Sequence, residues 1–222
     1  MKKTNLTKEE FEKLEAEYDD FFNKHHYGKC FITILYVNIA LLLIVFILPE
    51  KILTTFPFLR YFINFMSQIF PNIEIYSSVN KMPELCEFYF SYAWMISVVI
   101  VVWCIWKLPQ VSKEARKYFG TGEFKNQGIF KEKFIPILDT KLNSLKGSFS
   151  TIFGVLLFLF AIYFNFSGDI INTFLGKWMF DRFGLFFVAV FQNISIILIL
   201  MYIPYDLFAR INLKKIKQKN LH

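Results

Sequence analysis

Four runs of the chain carry no charged residue: 31–48, 88–106, 149–166 and 184–203. Each is apolar on every side and lacks the polar stripe of a soluble protein's surface helix. A bilayer core of about 30 Å takes about 20 helical residues. The pattern therefore predicts an all-α, multi-pass integral membrane bundle of four transmembrane helices. Between and around these runs lie an N-terminal segment (1–30), three connecting segments (49–87, 107–148, 167–183) and a tail (204–222).

Two connecting stretches are mixed rather than polar. Residues 52–70 hold Arg60, Pro57, Asn64 and Gln68 among apolar neighbours. We expect an amphipathic helix in the outer interface or a re-entrant piece. Residues 170–182 look similar, with Trp178 and several Phe beside Lys177 and Asp181. Arg60 and Trp178 mark this expected outer interfacial surface.

The N-terminal segment reads as an amphipathic helix. Thr7 and Glu10 fit a capping box. Phe11, Leu14, Tyr18, Phe21 and Phe22 then recur at three- and four-residue steps. The polar face is acidic, with seven carboxylates against four Lys between 8 and 29, so anionic headgroups would repel it. The apolar face is expected to meet protein: the chain's own basic loop, or a cytosolic partner. In that loop a helix is expected to run past Pro109 to Phe119. Turns follow at Gly120, Gly122 and Gly128, and a second helix spans 131–145.

Charge sets the orientation. Of 25 Lys and Arg, 20 fall in segments 1–30, 107–148 and 204–222 and five in the other two. Cations favour the cytoplasmic side, so both termini and the middle loop are expected inside (N-in/C-in), in the inner membrane of a bacterium. The first 30 residues hold no apolar core before a cleavage site, so no cleavable signal is expected. Composition agrees: hydrophobic residues are 55 % and charged ones 19 %, against about 25 % charged in soluble domains.

Candidate chemistry is sparse. Gly120-Thr121-Gly122 with Lys125 lacks the spacing and preceding strand of a phosphate loop and is read as a turn. Adjacent His25 and His26 point apart on a helix, so no metal site and no cofactor is expected. No Ser–His–Asp set and no acidic cluster with metal-ligand spacing is apparent, and an enzyme is not expected. Cys86 lies on the outer side, and Cys30 and Cys104 near the reducing cytoplasmic face. Direct nucleic-acid binding is not expected either, because no binding module fits the basic loop.

Uncharged polar residues remain inside the runs: Asn38, Gln192, Asn193 and Ser195. In lipid they need partners. They serve as helix contacts, with Asn38 bonding Gln192 or Asn193, or they line a pore. No carboxylate, Lys, Arg or His lies mid-run, as proton- or ion-coupled carriers require.

Four spans, both ends inside and a small cytoplasmic face resemble the membrane subunit of Kiwa-type bacterial anti-phage systems. The resemblance is one of topology and assigns no residue. It implies an oligomeric membrane protein working with a cytosolic DNA-binding partner. The expected role is thus a non-enzymatic homo-oligomeric subunit that senses a membrane event and holds or regulates a cytosolic protein. A small oligomeric channel and a bacteriocin immunity protein are the alternatives.

Overall fold

The computed structural model describes residues 7–25, 30–125, 127–143, 145–173, 176 and 179–219. Among them every regular element is helical and no strand occurs. The α-helices are α1 (Lys8–His25), α2 (Cys30–Leu42), α3 (Ile52–Thr55), α4 (Leu59–Ile69), α5 (Asn72–Val79), α6 (Pro83–Phe119), α7 (Ile135–Asn143), α8 (Leu145–Ser167), α9 (Arg182–Ile197) and α10 (Ile203–Lys219). A 3₁₀ turn, Leu43–Phe46, extends α2, and a π-helix, Leu198–Tyr202, lies between α9 and α10.

Two helical runs, Pro83–Phe124 and Arg182–Lys219, are long and apolar enough to cross a membrane. Ile32–Phe46 and Gly154–Ser167 are shorter apolar helices. All four charge-free runs are helical in their described residues, save Ile47 and Leu48, a turn and a bend that end the first.

Proline divides the 52–70 stretch, which is two helices rather than one. Phe56 ends α3 with φ −129° and ψ 75°, directly before Pro57. Phe70 ends α4 with φ −121° and ψ 88°, directly before Pro71. The ring of a following proline clashes with an α-conformation at the residue before it. In the 170–182 stretch Asp169–Asn172 form a 3₁₀ turn. Asp181 then caps α9, accepting from the Gly184 N–H at 2.7 Å. Pro109, by contrast, is absorbed within the 37 residues of α6.

The chain forms two compact units. One gathers residues 1–30, 106–155 and 201–222. Helix α1 opens with the reciprocal cap: the Thr7 N–H donates to Glu10 at 2.8 Å, and the Glu10 N–H donates back to the Thr7 hydroxyl at 3.3 Å. Those bonds from Thr7, backbone first, hold the Glu10 carboxyl below its usual range. The unit's core is aromatic. Phe134 is fully buried, and its ring lies 5.2 Å from Phe21, 5.6 Å from Tyr18 and 6.3 Å from Phe130. Ion pairs rim it: Lys133 with Glu17, Lys141 with Asp19 (2.6 Å) and Glu15 (3.4 Å), and Lys217 with Asp139.

The other unit holds residues 31–105 and 156–200. Leu42, Val45, Leu85, Tyr89, Phe90, Ala93, Leu185 and Ala189 are buried in it. Its outward faces remain apolar. Met95, Val98, Val99, Val102 and Ile105 form an exposed stripe on α6; Phe183, Phe187 and Phe191 form another on α9. The guanidinium of Arg182 donates to the backbone oxygens of Val45 (2.5 Å) and Leu48 (2.7 Å), closing the end of the α2 segment.

Candidate functional site

The chemically distinctive feature of the second unit is a cluster of uncharged polar side chains among apolar helices. Asn38 comes from α2, Ser97 from α6, and Gln192 and Asn193 from α9. All four are at most 2 % exposed. The Asn193 amide donates to Asn38 Oδ1 at 2.8 Å. The Ser97 hydroxyl sits between Asn193 Oδ1 and the backbone oxygen of Ala93, the latter at 2.9 Å. Gln192 Nε2 donates to Ser97 Oγ at 3.2 Å. Three helices are thereby joined by neutral hydrogen bonds.

The cluster is incompletely satisfied. Among the described residues Asn38 Nδ2 and Gln192 Oε1 are buried without a hydrogen-bond partner. A buried unmade bond costs about 1–3 kcal/mol. One spare donor and one spare acceptor make the group able to hold a water, or to exchange partners, without any charge.

Of the four polar residues expected to act together, Ser195 stands apart. It is buried, but its hydroxyl donates back to Phe191 O at 2.7 Å on its own helix. Ser97 was missed. Its signal is depth: it sits in the centre of the 88–106 run, as Asn38 and Asn193 sit in theirs. A second buried polar group was also missed. Trp94 Nε1 donates to Asn72 Oδ1 at 3.0 Å, and the Tyr76 hydroxyl lies 2.8 Å from Asn165 Oδ1. Asn72 follows Pro71 and Asn165 ends a run, so both read as ordinary boundary residues.

The other candidates separate as follows. On α1, Tyr18 and Phe21 are buried against Phe134 within this chain, and Phe11, Leu14 and Phe22 are half-buried. Lys141 stands 5.0 Å over the Tyr18 ring. Burial first, then the Asp19 carboxylate, pushes the Tyr18 phenol up to about 12. Arg60 is exposed on α4. Trp178 and His26 lie outside the described residues. His25 stacks on Phe21 at 4.8 Å, with Nδ1 3.2 Å from Phe21 O. Cys86 and Cys104 are buried and in no disulfide. Among the described residues no three His, Cys, Asp or Glu side chains are grouped to hold a metal.

These residues stand without a precedent to interpret them: no family model, no curated protein and no solved structure matches the chain.

Proposed function

We propose that the chain is a four-span protein of a bacterial inner membrane, with both termini and the middle loop in the cytoplasm. It acts as a non-enzymatic subunit that carries a folded cytoplasmic platform and holds or regulates a soluble protein there. One observation carries the reading. The three Lys- and Arg-rich segments, far apart in sequence, fold into one unit with an aromatic core and cross-segment ion pairs. Cations needed only for orientation would act equally well on unstructured loops.

The membrane part has its own support. The α2 segment, 13 α and four 3₁₀ residues long, reaches about 27 Å at their respective rises. Helix α8, with 23 residues, reaches about 34 Å. Exposed apolar stripes on α6 and α9 suit lipid, since a water-facing surface would be costly. Homo-oligomerisation through these faces, sensing through the outer segment 49–87 and a place in anti-phage defence complete the proposal. The polar cluster bonds within one chain, which favours helix contacts over the lining of a pore.

The test has two arms. Alkaline phosphatase fused after residue 80 is expected to be active, and after residue 128 inactive. The chain is also purified from its native host in mild detergent, with and without residues 1–25. A stoichiometric soluble protein that depends on the platform supports the role. Active phosphatase at 128 would overturn the topology, and recovery of no soluble protein would overturn the platform role.

A further inference from the structure

Between the first two charge-free runs lies a helix with two apolar faces, of which one is covered and one is bare. Helix α4 is 11 residues long, about 16 Å, so it cannot cross a bilayer core of about 30 Å. At about 100° per residue its side chains sort into three stripes. Leu59, Phe62, Ile63 and Met66 turn inward, with Ile63 and Met66 buried and the other two half-buried. Phe58, Tyr61, Phe65 and Ile69 form a second apolar stripe beside the first. All four are exposed, Tyr61 by 84 %. Arg60, Asn64 and Gln68 form the third stripe, also exposed.

The covered face fixes the level of the helix. Ile63 joins Ile52 and Leu53 of α3 in a core cluster, and Leu59, Phe62, Leu48 and Phe88 pack against it. Leu48 ends the first charge-free run and Phe88 begins the second. Helix α4 therefore lies where both runs end. Glu84 stands four residues before Phe88, a rise of about 6 Å. Its carboxylate accepts from the Leu53 and Thr54 N–H groups at 2.9 and 2.8 Å and from the Thr54 hydroxyl at 2.7 Å. The positive charge of Arg60 acts on the same carboxylate. The polar stripe thus belongs to the side of α4 turned away from the runs.

That stripe has one residue in every turn, from Arg60 to Gln68. A helix entering the membrane end-on would bury some of them, whereas one lying along the surface buries none. The bare apolar stripe also runs the full length of α4. Ile47, the neighbour of Leu48, is apolar and exposed too, so bare apolar surface is present on the first run at the same level. Aromatic residues on one side and a cation on the other suit a bilayer interface, which is apolar below and wet above. We infer that α4 is a lipid-binding surface seated in the outer leaflet. Phe58, Tyr61, Phe65 and Ile69 lie among the upper acyl chains, and the Arg60 guanidinium meets a headgroup phosphate. The inference rests on the four-span reading and deepens its sensing role. The partner that the outer segment meets is phospholipid, and the packing of its core cluster on Leu48 and Phe88 connects it to two spans.

Site-directed spin labelling in nanodiscs of phosphatidylethanolamine and phosphatidylglycerol tests this. The three cysteines are replaced by alanine, and nitroxides are attached in Tyr61→Cys, Phe65→Cys, Arg60→Cys and Asn64→Cys. Val99→Cys, on the exposed stripe of α6, is the reference for lipid. Oxygen, which partitions into lipid, is expected to relax the labels at 61 and 65 more than those at 60 and 64. A water-soluble nickel chelate is expected to give the reverse order. Equal nickel access at all four positions overturns the inference, and so does dipolar broadening at 61 or 65, which would mark a second copy on this face. Oxygen access at Val99 with nickel access at 61 and 65 sinks the inference alone, whereas nickel access at Val99 sinks the four-span reading with it. A second measurement keeps the native cysteines. Phe65→p-benzoylphenylalanine, irradiated in membranes of the native host, is expected to give adducts of phospholipid mass. Adducts to protein alone overturn the inference.

Discussion

Replacing Asn193 with leucine removes the centre of the polar cluster while keeping a side chain of similar size. Two bonds go. The Ser97 hydroxyl falls back on Ala93 O, already 2.9 Å away. Asn38 has no such fallback, because its Nδ2 is already without a partner and its Oδ1 loses the Asn193 donor. A hydrogen bond between helices in lipid contributes about 0.6 kcal/mol on average and about 1.7 at most. Leaving a buried acceptor unsatisfied adds about 1–3 kcal/mol. Asn193→Leu should therefore destabilise the chain by about 2–3 kcal/mol. Asn38→Leu alone should cost less, since it also removes the unsatisfied Nδ2. The double variant should be more stable than Asn193→Leu by about 1–2 kcal/mol, a coupling that independent sites would not show. Reversible unfolding in mixed micelles measures all four chains. Additive losses, or an Asn193→Leu loss below about 0.5 kcal/mol, would refute the assignment of this cluster as the glue between α2, α6 and α9.

Phe134→Ala empties the aromatic core under α1 and should cost about 3–5 kcal/mol; limited proteolysis should then cut within 8–25 faster than in the parent chain. Gly168→Ala should be destabilising by about 1–2 kcal/mol, because φ is +81° and the new Cβ would lie 2.8 Å from Ile75 Cδ1. Adding Ile75→Ala should return only the steric part in a thermal melt, since the positive φ remains. Tyr18 has a folded pKa near 12, raised from 10.0. The folded state therefore keeps the proton more tightly, and the stability due to Tyr18 is complete below pH 10 and lost as pH climbs towards 12. Tyr18→Phe should flatten that alkaline decline in circular-dichroism melts and leave the neutral-pH melt nearly unchanged.

The helical skeleton was legible because lipid-length apolar runs and proline leave strong local signals. Apart from Ile47 and Leu48, the described residues of each charge-free run are helical, and the turns at Gly120 and Gly122 follow from glycine alone. The helix expected past Pro109 to Phe119 is the last part of α6, which runs unbroken from Pro83. The 52–70 stretch was read by its amphipathic pattern, when Pro57 and Pro71 were the deciding residues. For the candidate site, Asn38, Gln192 and Asn193 were visible as polar residues in apolar surroundings. Ser97 was not, because serine satisfies itself on its own helix as readily as it joins a neighbour.

The bond from Arg182 to the end of the α2 segment has a consequence in time. The donor lies 137 residues after Val45 and 134 after Leu48. At a synthesis rate of about 5–20 residues per second, the carbonyls wait roughly 7–27 s for their cap. Throughout that interval the α2 segment has an unfinished end, and so does any product truncated before α9. Asn38 waits longer still, because Asn193 follows it by 155 residues. An early helix is thus completed only once α9 has been made. A ribosome that stalls late releases a chain whose defect lies near its beginning, where quality-control proteases can find it.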